Sequence, residues 1–357
     1  MTMILNDTHL GVQRAAGTTP ASAIQLRRWL QQQFKDYISR VNEPLLINGD
    51  LFDSFNVANS DVLECFHTLA DFAKREMLIL VAGNHDLSKD SSKMSSFEWL
   101  GEVLTTIRPG SVMMIKEPHW FESWGQYVIP HLTNQEMLDS AIANLIENIA
   151  PNAAAQGQPI KFCLFHANYD NHFAAQAEHS LNVSQEQALS LISSGIMPVF
   201  GHEHPKRVVD LGDGDVLCTG NQWPSSVSDC IGSTGKYAHR LMPNGNYESI
   251  KTWEPEEGYA EVDWRELDVF SSNVNFIRVT GEATFEEAAE VVAAVSRLRQ
   301  RSEAFVVTNA VKTARADDNL ELEEAATVSQ KLDVVKLLCE ALTVEEANRV
   351  MEVLTND

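Results

Sequence analysis

The chain has 357 residues, 27 Lys and Arg against 50 Asp and Glu, a formal net charge of −23 and 44% hydrophobic residues. That length exceeds one average domain and the apolar fraction is globular, which excludes a mostly disordered chain; no apolar stretch is long enough to cross a bilayer, so no membrane association is expected. The acidic balance excludes a simple Lys and Arg coat for DNA, although a site that grips phosphate through bound metal ions carries positive charge that the count omits.

Five short apolar runs recur through the first two-thirds, and each ends at a residue able to bind metal. Met3-Ile4-Leu5 leads to Asp7 and His9, Leu45-Leu46-Ile47 to Gly49-Asp50, and Leu78-Ile79-Leu80-Val81 to Gly83-Asn84-His85-Asp86. Phe162-Cys163-Leu164-Phe165 leads to His166, and Pro198-Val199-Phe200 to Gly201-His202-Glu203-His204. Runs this short and β-prone read as buried strands, with helices expected over residues 21–41 and 57–75. After His204 the pattern becomes strands without helices, over residues 207–210, 216–219, 237–241 and 247–252, which predicts a second sheet packed on the first with helices outside both. Glu254-Pro255-Glu256-Glu257-Gly258 reads as a boundary. Beyond it, residues 275–281 and 304–308 read as strands, and 285–299 as a helix opened by a Thr284/Glu287 capping box. An acidic linker over residues 313–326 precedes two amphipathic helices in 327–357, whose second capping box is Thr343/Glu346. Such a tail has little of its own to pack on and suggests docking to another surface. The N-terminus lacks a basic segment followed by a long apolar core. The five dispersed cysteines form no Cys-x-x-Cys pair, which predicts a reducing cytoplasm and no zinc-thiolate site.

In open α/β sheets ligands gather beyond the carboxyl ends of strands, where all five polar clusters fall. Asp7 and His9 are alternate residues that can reach one ion; solvated loop residues are the bland alternative. Gly49 lets the chain turn so tightly that Asp50 points back over the sheet edge, where a carboxylate can bridge two cations. Asp53 reads either as a helix N-cap or as functional. Asn84 offers a neutral oxygen ligand, and His85 would then face the substrate as proton donor or phosphate contact, although Gly-Asn is also a turn dipeptide. His166 alone would more often be structural. His202 and His204 can face one way while Glu203 faces the other. The joint occurrence of these groups at successive strand ends favours a metal centre. Carboxylate, amide and imidazole without thiolate suit Mn²⁺, Fe²⁺ or Zn²⁺ better than Mg²⁺ or Ca²⁺. Seven ligands sharing one carboxylate make two ions, the machinery of in-line phosphoester hydrolysis.

The ordered set Asp7-x-His9, Gly49-Asp50, Gly83-Asn84-His85-Asp86, His166 and Gly201-His202-x-His204 resembles the calcineurin-like metallophosphoesterase superfamily. Asp7-Thr8-His9-Leu10-Gly11, Gly49-Asp50-Leu51-Phe52-Asp53 and Gly220-Asn221-Gln222-Trp223-Pro224 are similar to its DNA double-strand-break repair nucleases of the SbcD and T-even phage type. The resemblance implies an α/β fold: a two-sheet αββα sandwich over residues 1–255, a small α+β capping domain over 260–312, the acidic linker and a C-terminal helical tail. It implies one ion held by Asp7, His9, Asp50 and His204, and another by Asp50, Asn84, His166 and His202. His85 would assist leaving-group departure or bind phosphate, and Asp53 would orient it. Thr8 stands where tryptophan is common, and Gly220-Asn221 where Gly-Ser or Gly-Thr is usual.

The resemblance further implies a Mn²⁺-dependent nuclease acting at DNA ends in repair, recombination or replication. It would work as a homodimer with an SbcC-type coiled-coil ABC ATPase, in a bacterial or phage-infected cell. One rival is a stand-alone phosphatase or phosphodiesterase; phosphatases of the superfamily usually carry Arg-Gly after the second aspartate and glutamate after Asn-His, where this chain has Ser54-Phe55 and Asp86. The other is a recombination scaffold with a dead site, against which all seven ligand types are present.

Overall fold

The structure, a computed structural model, describes residues 1–12, 16–87, 93–171 and 181–314. The first half alternates β1 (Thr2–Leu5), α1 (Pro20–Arg40), β2 (Leu45–Asn48), α2 (Asn59–Phe72), β3 (Leu78–Val81), α3 (Ser96–Ile107) and β4 (Val112–Ile115), with the four strands parallel neighbours. Because alternate residues face opposite buried sides, these strands are apolar except at Thr2 and Asn48. Met3, Leu5, Leu45, Ile47, Leu78 and Leu80 pack with the helices, while Ile4, Leu46, Ile79 and Val81 face the other way into a second sheet. Helix α1 starts where the Thr19 hydroxyl accepts from Ser22 N and Pro20 occupies the first turn, and it buries Leu26, Leu30, Phe34 and Ile38 at four-residue spacing.

The chain then forms β5 (His119–Phe121), β6 (Gln126–Ile129) and α4 (Gln135–Asn144), which passes through a π turn at Leu145–Ile149 into α5 (Ala150–Ala155). There follow β7 (Phe162–His166), the two-residue β8 (Asn168–Tyr169) and β9 (Asn182–Val183), α6 (Gln185–Ser193) and β10 (Met197–Gly201). The strands β11 (Arg207–Asp210), β12 (Asp215–Cys218), β13 (Lys236–Leu241) and β14 (Tyr247–Trp253) complete the body. Two six-stranded sheets result, ordered β14-β13-β1-β2-β3-β4 and β11-β12-β10-β7-β6-β5. Phe162, Leu164, Val199 and Leu217 of the second meet Ile4, Leu46 and Ile79 of the first, and α4 to α6 cover the outer face of the second over Cys163, Phe165 and Phe200. This is the expected α/β sandwich of two sheets flanked by helices.

The strands after His204 do not make a sheet of their own. β11 and β12 extend the second sheet beside β10, whereas β13 pairs antiparallel with β1 and carries β14 onto the edge of the first sheet. Periodicity says which face of a strand is buried but not which edge it joins. Here Leu241 of β13 enters the core between the sheets and Ala238 the core under the helices, so β13 fits beside β1. As a result β1, β2 and β3 of one sheet and β7 and β10 of the other bring their carboxyl ends to one place.

Beyond α7 (Pro255–Gly258), β15 (Tyr259–Asp263), β16 (Phe276–Thr280), β17 (Glu282–Thr284), α8 (Ala288–Arg301), β18 (Val306–Asn309) and β19 (Lys312–Ala314) form a smaller layer. β15, which the sequence reading did not assign, pairs parallel with β16, and β16 with β18. One face buries Val262, Ile277, Val279, Val291, Val295 and Leu298; the other sends Phe276 and Val306 against α1, where Trp29 meets Phe276. The Thr284/Glu287 bonds form in both directions, but they close a turn ahead of the helix, which begins at Ala288. The expected tail helices of residues 327–357, and the linker beyond residue 314, lie outside the described residues. Cys65, Cys163, Cys218 and Cys230 are free and buried. Among the described residues no helix is long and apolar enough to cross a membrane.

Candidate dimetal site

Three loops from the first sheet are tied together before any side chain reaches the site. Asp7 N and His9 N donate to the carbonyls of Gly49 and Asp50, Leu10 bridges to Phe52, and the buried Thr8 hydroxyl donates to Leu51 O at 2.9 Å. Asp86, also buried, joins the third loop to the second by accepting from Gly83 N at 2.9 Å and from Leu51 N and Phe52 N at 3.4 Å. The packing leaves no room at Gly49: its φ is +86°, and a Cβ there would overlap the His166 ring. Five described non-glycine residues have positive φ, and four of them are Asp7, His9, Asp50 and His202. Backbone strain is thus concentrated on the residues whose side chains converge, which is where functional sites store it.

The loops bring the sequence-derived residues into two groups. Ligating atoms of Asp7, His9 and His204 lie within 4.8 Å of one another, as do those of Asp50, His166 and His202. His9 Nε2 faces His204 Nε2 at 3.1 Å. Asn84 Oδ1 stands 3.0 Å from His166 Nε2 and 2.9 Å from His202 Nδ1, so the asparagine joins the second group. Asp50 Oδ1 lies 3.3 Å from His166 Nε2 and accepts from His85 N at 3.0 Å. The Asp7 carboxylate accepts from His202 N at 2.9 Å. His166 Nδ1 meets Asn48 O at 2.9 Å, which fixes the ring with Nε2 turned to the site. Glu203 does point away, accepting from Tyr169 N and pairing with Arg207.

His85 sits at the mouth with 41% of its side chain exposed, its Nε2 3.9 Å from Asp50 Oδ2. The expected orienting contact from Asp53 takes a different form: the Asp53 main-chain carbonyl lies 2.6 Å from His85 Nδ1, and the Asp53 carboxylate lies 3.6 Å from His9 Nδ1.

Buried carboxylates need positive charge close by. Asp7 and Asp50 are each 1% exposed, and among the described residues neither forms an ion pair with Lys or Arg. Burial pushes Asp7 up to about 6. It would raise Asp50 as well, but the His166 charge and hydrogen bond hold Asp50 well below the usual carboxylate range. Burial works against a charged His166, yet Asp50 raises it to about 10. Burial lowers His9 and His202 to about 3, leaving neutral imidazoles whose lone pairs suit a cation, and His9 Nδ1 is buried without a hydrogen-bond partner. Two carboxylates, an amide oxygen and four imidazoles around two adjacent foci fit a pair of divalent ions.

The model of the calcineurin-like phosphoesterase family matches residues 2–206, more than half of the chain. The chain belongs to that family. This phosphoesterase is a metal-dependent hydrolase of phosphoesters, its family binds two divalent ions, and the two ligand groups are the candidate places for them. No curated protein matches it. Among solved structures, one shares 11% identity over 70% of this chain and 98% of its own, with a TM-score of 0.38. Another, the phosphopantetheinyl hydrolase PptH from Mycobacterium tuberculosis, shares 14% identity over 62% of this chain and 89% of its own, with a TM-score of 0.32.

Several residues that shape the phosphoesterase site escaped the sequence reading. Asp229 meets His204 Nδ1 at 2.7 Å, and the buried Lys236 donates to His204 O and to Asn221 Oδ1. Asn221 is itself fully buried and donates to Trp223 O, so the departure from Gly-Ser supports the chain beneath His204. Asn48 donates to Asn6 Oδ1 and Phe165 O, linking β2 to β7. The available signal was a polar residue, Asn48, ending an otherwise apolar strand; Asp229 lies in a loop with no such mark.

Proposed function

We propose that this phosphoesterase is a Mn²⁺-dependent DNA nuclease of the SbcD-like branch, hydrolysing phosphodiesters at DNA ends. In this reading Asp7, His9, Asp50 and His204 hold one ion, and Asp50, Asn84, His166 and His202 the other. The carrying observation is His85, half-exposed beside the Asp50 carboxylate and held through Nδ1 on the Asp53 carbonyl. When bound, the ion pair supplies charge that offsets the phosphodiester's own and an acidified water for attack. His85, protonated, keeps Nδ1–H on the Asp53 carbonyl and delivers the Nε2 proton to the leaving oxygen. Asp86 and Gly83 hold the Asn84 and His85 loop against the Asp50 loop, so both residues keep their reach without reorganising.

The preference for a phosphodiester over a phosphoprotein rests on the resemblance of Gly49-Asp50-Leu51-Phe52-Asp53 and of Gly220 to Pro224 to DNA-end nucleases, and on Ser54-Phe55 and Asp86 where phosphatases differ. A charge of −23 is compatible with DNA processing if the partner supplies much of the DNA-binding surface. The partner is an SbcC-type coiled-coil ATPase, the amphipathic sequence of residues 327–357 is its docking segment, and the nuclease acts as a homodimer. Digestion of an end-labelled duplex with Mn²⁺, with and without that ATPase, tests this reading. Cleavage of the duplex or of a simple phosphodiester, without matching activity on a phosphomonoester, is expected; preference for the monoester would overturn it. Deleting residues 327–357 should abolish co-purification with the ATPase while Mn²⁺-dependent cleavage of short DNA persists.

A further inference from the structure

We infer that Asp229 is a positioning residue that selects the His204 tautomer able to bind a cation, and so sets the affinity of the Asp7, His9 and His204 focus. The inference rests on the dimetal reading of the site and is independent of the substrate.

The geometry divides the Asp229 carboxylate into two halves. Its Oδ1 meets His204 Nδ1 at 2.7 Å. Its Oδ2 accepts from Ser225 N and Ser226 N at 2.9 Å, from Ser226 Oγ at 2.9 Å and from Ser225 Oγ at 3.1 Å. Asp229 is only 7% exposed, so these contacts are not in competition with bulk water. An ionised carboxylate only accepts, so Oδ1 requires a proton on Nδ1, and in the neutral ring that a cation binds the lone pair then lies on Nε2. That Nε2 is the atom facing His9 Nε2 at 3.1 Å. Lys236, 2% exposed, donates to the His204 carbonyl at 3.2 Å and holds the main chain from the other side. His166 is held in the same way by a main-chain carbonyl, Asn48 O; at His204 the task falls to a side chain and is open to substitution.

An asparagine at position 229 keeps the shape and reverses the instruction. Four donors from Ser225 and Ser226 hold its oxygen on their side, so the amide NH₂ faces His204 Nδ1. The ring must then accept at Nδ1 and carry its proton on Nε2, where the ion would bind.

The test uses the full chain, stripped of metal and titrated with Mn²⁺ while free Mn²⁺ is read by electron paramagnetic resonance. The wild-type chain should take up two equivalents; failure to do so would sink the dimetal reading itself. In Asp229→Asn one equivalent should weaken by roughly 10- to 100-fold, the range for loss of an outer partner of a ligating histidine, with the other equivalent and the metal-free melting temperature unchanged. Asp229→Glu, which restores an acceptor, should recover part of the loss. In a His204→Ala background Asp229→Asn should cause no further loss, because its effect passes through that ring. Unchanged affinity at both equivalents in Asp229→Asn, additive losses in the double variant, or loss of both ions together with a fall in melting temperature would each overturn the inference.

Discussion

His9, on the loop after β1, and His204, on the loop after β10, face each other through their Nε2 atoms at 3.1 Å. Their rings are 5.0 Å apart at 57°, so this is not stacking but a meeting of the same nitrogen from both sides. Two such nitrogens can be reconciled by one shared proton or by one cation. The buried Asp7 carboxylate within 4.8 Å of both favours the cation.

Removing metal should therefore destabilise the folded chain. Ions that bind the folded state but not the unfolded one stabilise it by about 2.7 kcal/mol at a hundredfold excess over Kd for one site. Dialysis against a chelator should lower the melting temperature, and Mn²⁺ should restore it in a concentration-dependent way. A melting temperature indifferent to both treatments would count against ligation at these loops.

Asp50→Ala should remove nearly all hydrolysis and at least one ion. Its carboxylate lies 3.3 Å from His166 Nε2 and accepts from His85 N, within the second group, and in the proposed reading it also serves the first ion. The fall in metal affinity should exceed about 100-fold, the upper range for losing only an outer partner. Metal analysis after gel filtration checks this, and two retained ions with full turnover would refute the shared role of Asp50.

His85→Asn should separate chemistry from binding. The side chain lies at the rim and touches the Asp53 carbonyl, so metal content should survive while turnover falls by about 10²- to 10⁴-fold, the usual worth of a positioned proton donor. A parallel loss of metal would make His85 a ligand instead.

Away from the site, His239 predicts an acid limb in stability. Fully buried on β13, it has Nε2 3.2 Å from Thr219 O and Nδ1 3.2 Å from the Ser249 hydroxyl, and burial lowers its pKa to about 4. Above the ordinary value of 6.5 both folded and unfolded chains hold it neutral; between 6.5 and about 4 only the unfolded chain binds the proton. Its contribution therefore declines as pH falls through that window, by about 1.4 kcal/mol per pH unit at most. Comparing metal-free wild type with His239→Gln by urea unfolding at several pH values should show a shallower decline in the variant, and identical slopes would contradict it.

The sequence by itself determined β1, β2, β3, β7 and β10, the five strands that lead to the site, and what stands at their ends, but not β4 to β6 or β15. Runs such as Leu78-Ile79-Leu80-Val81 are apolar at every position because one face meets helices and the other meets a sheet, and that burial is legible without coordinates. Asp7, His9, Asp50, Asn84, His166, His202 and His204 were legible for the same reason, as polar residues placed where a buried strand stops. Only the tertiary structure decided that β13 and β14 join β1 while β7 and β10 lie in the opposite sheet, since edge choice depends on which surfaces are left to cover. It also decided that Asp53 meets His85 through a carbonyl, that Asp86 clamps two loops, and that Asp229 faces His204 across 25 residues of chain. Those contacts depend on where separate loops meet in space, and no local periodicity encodes a distance between loops.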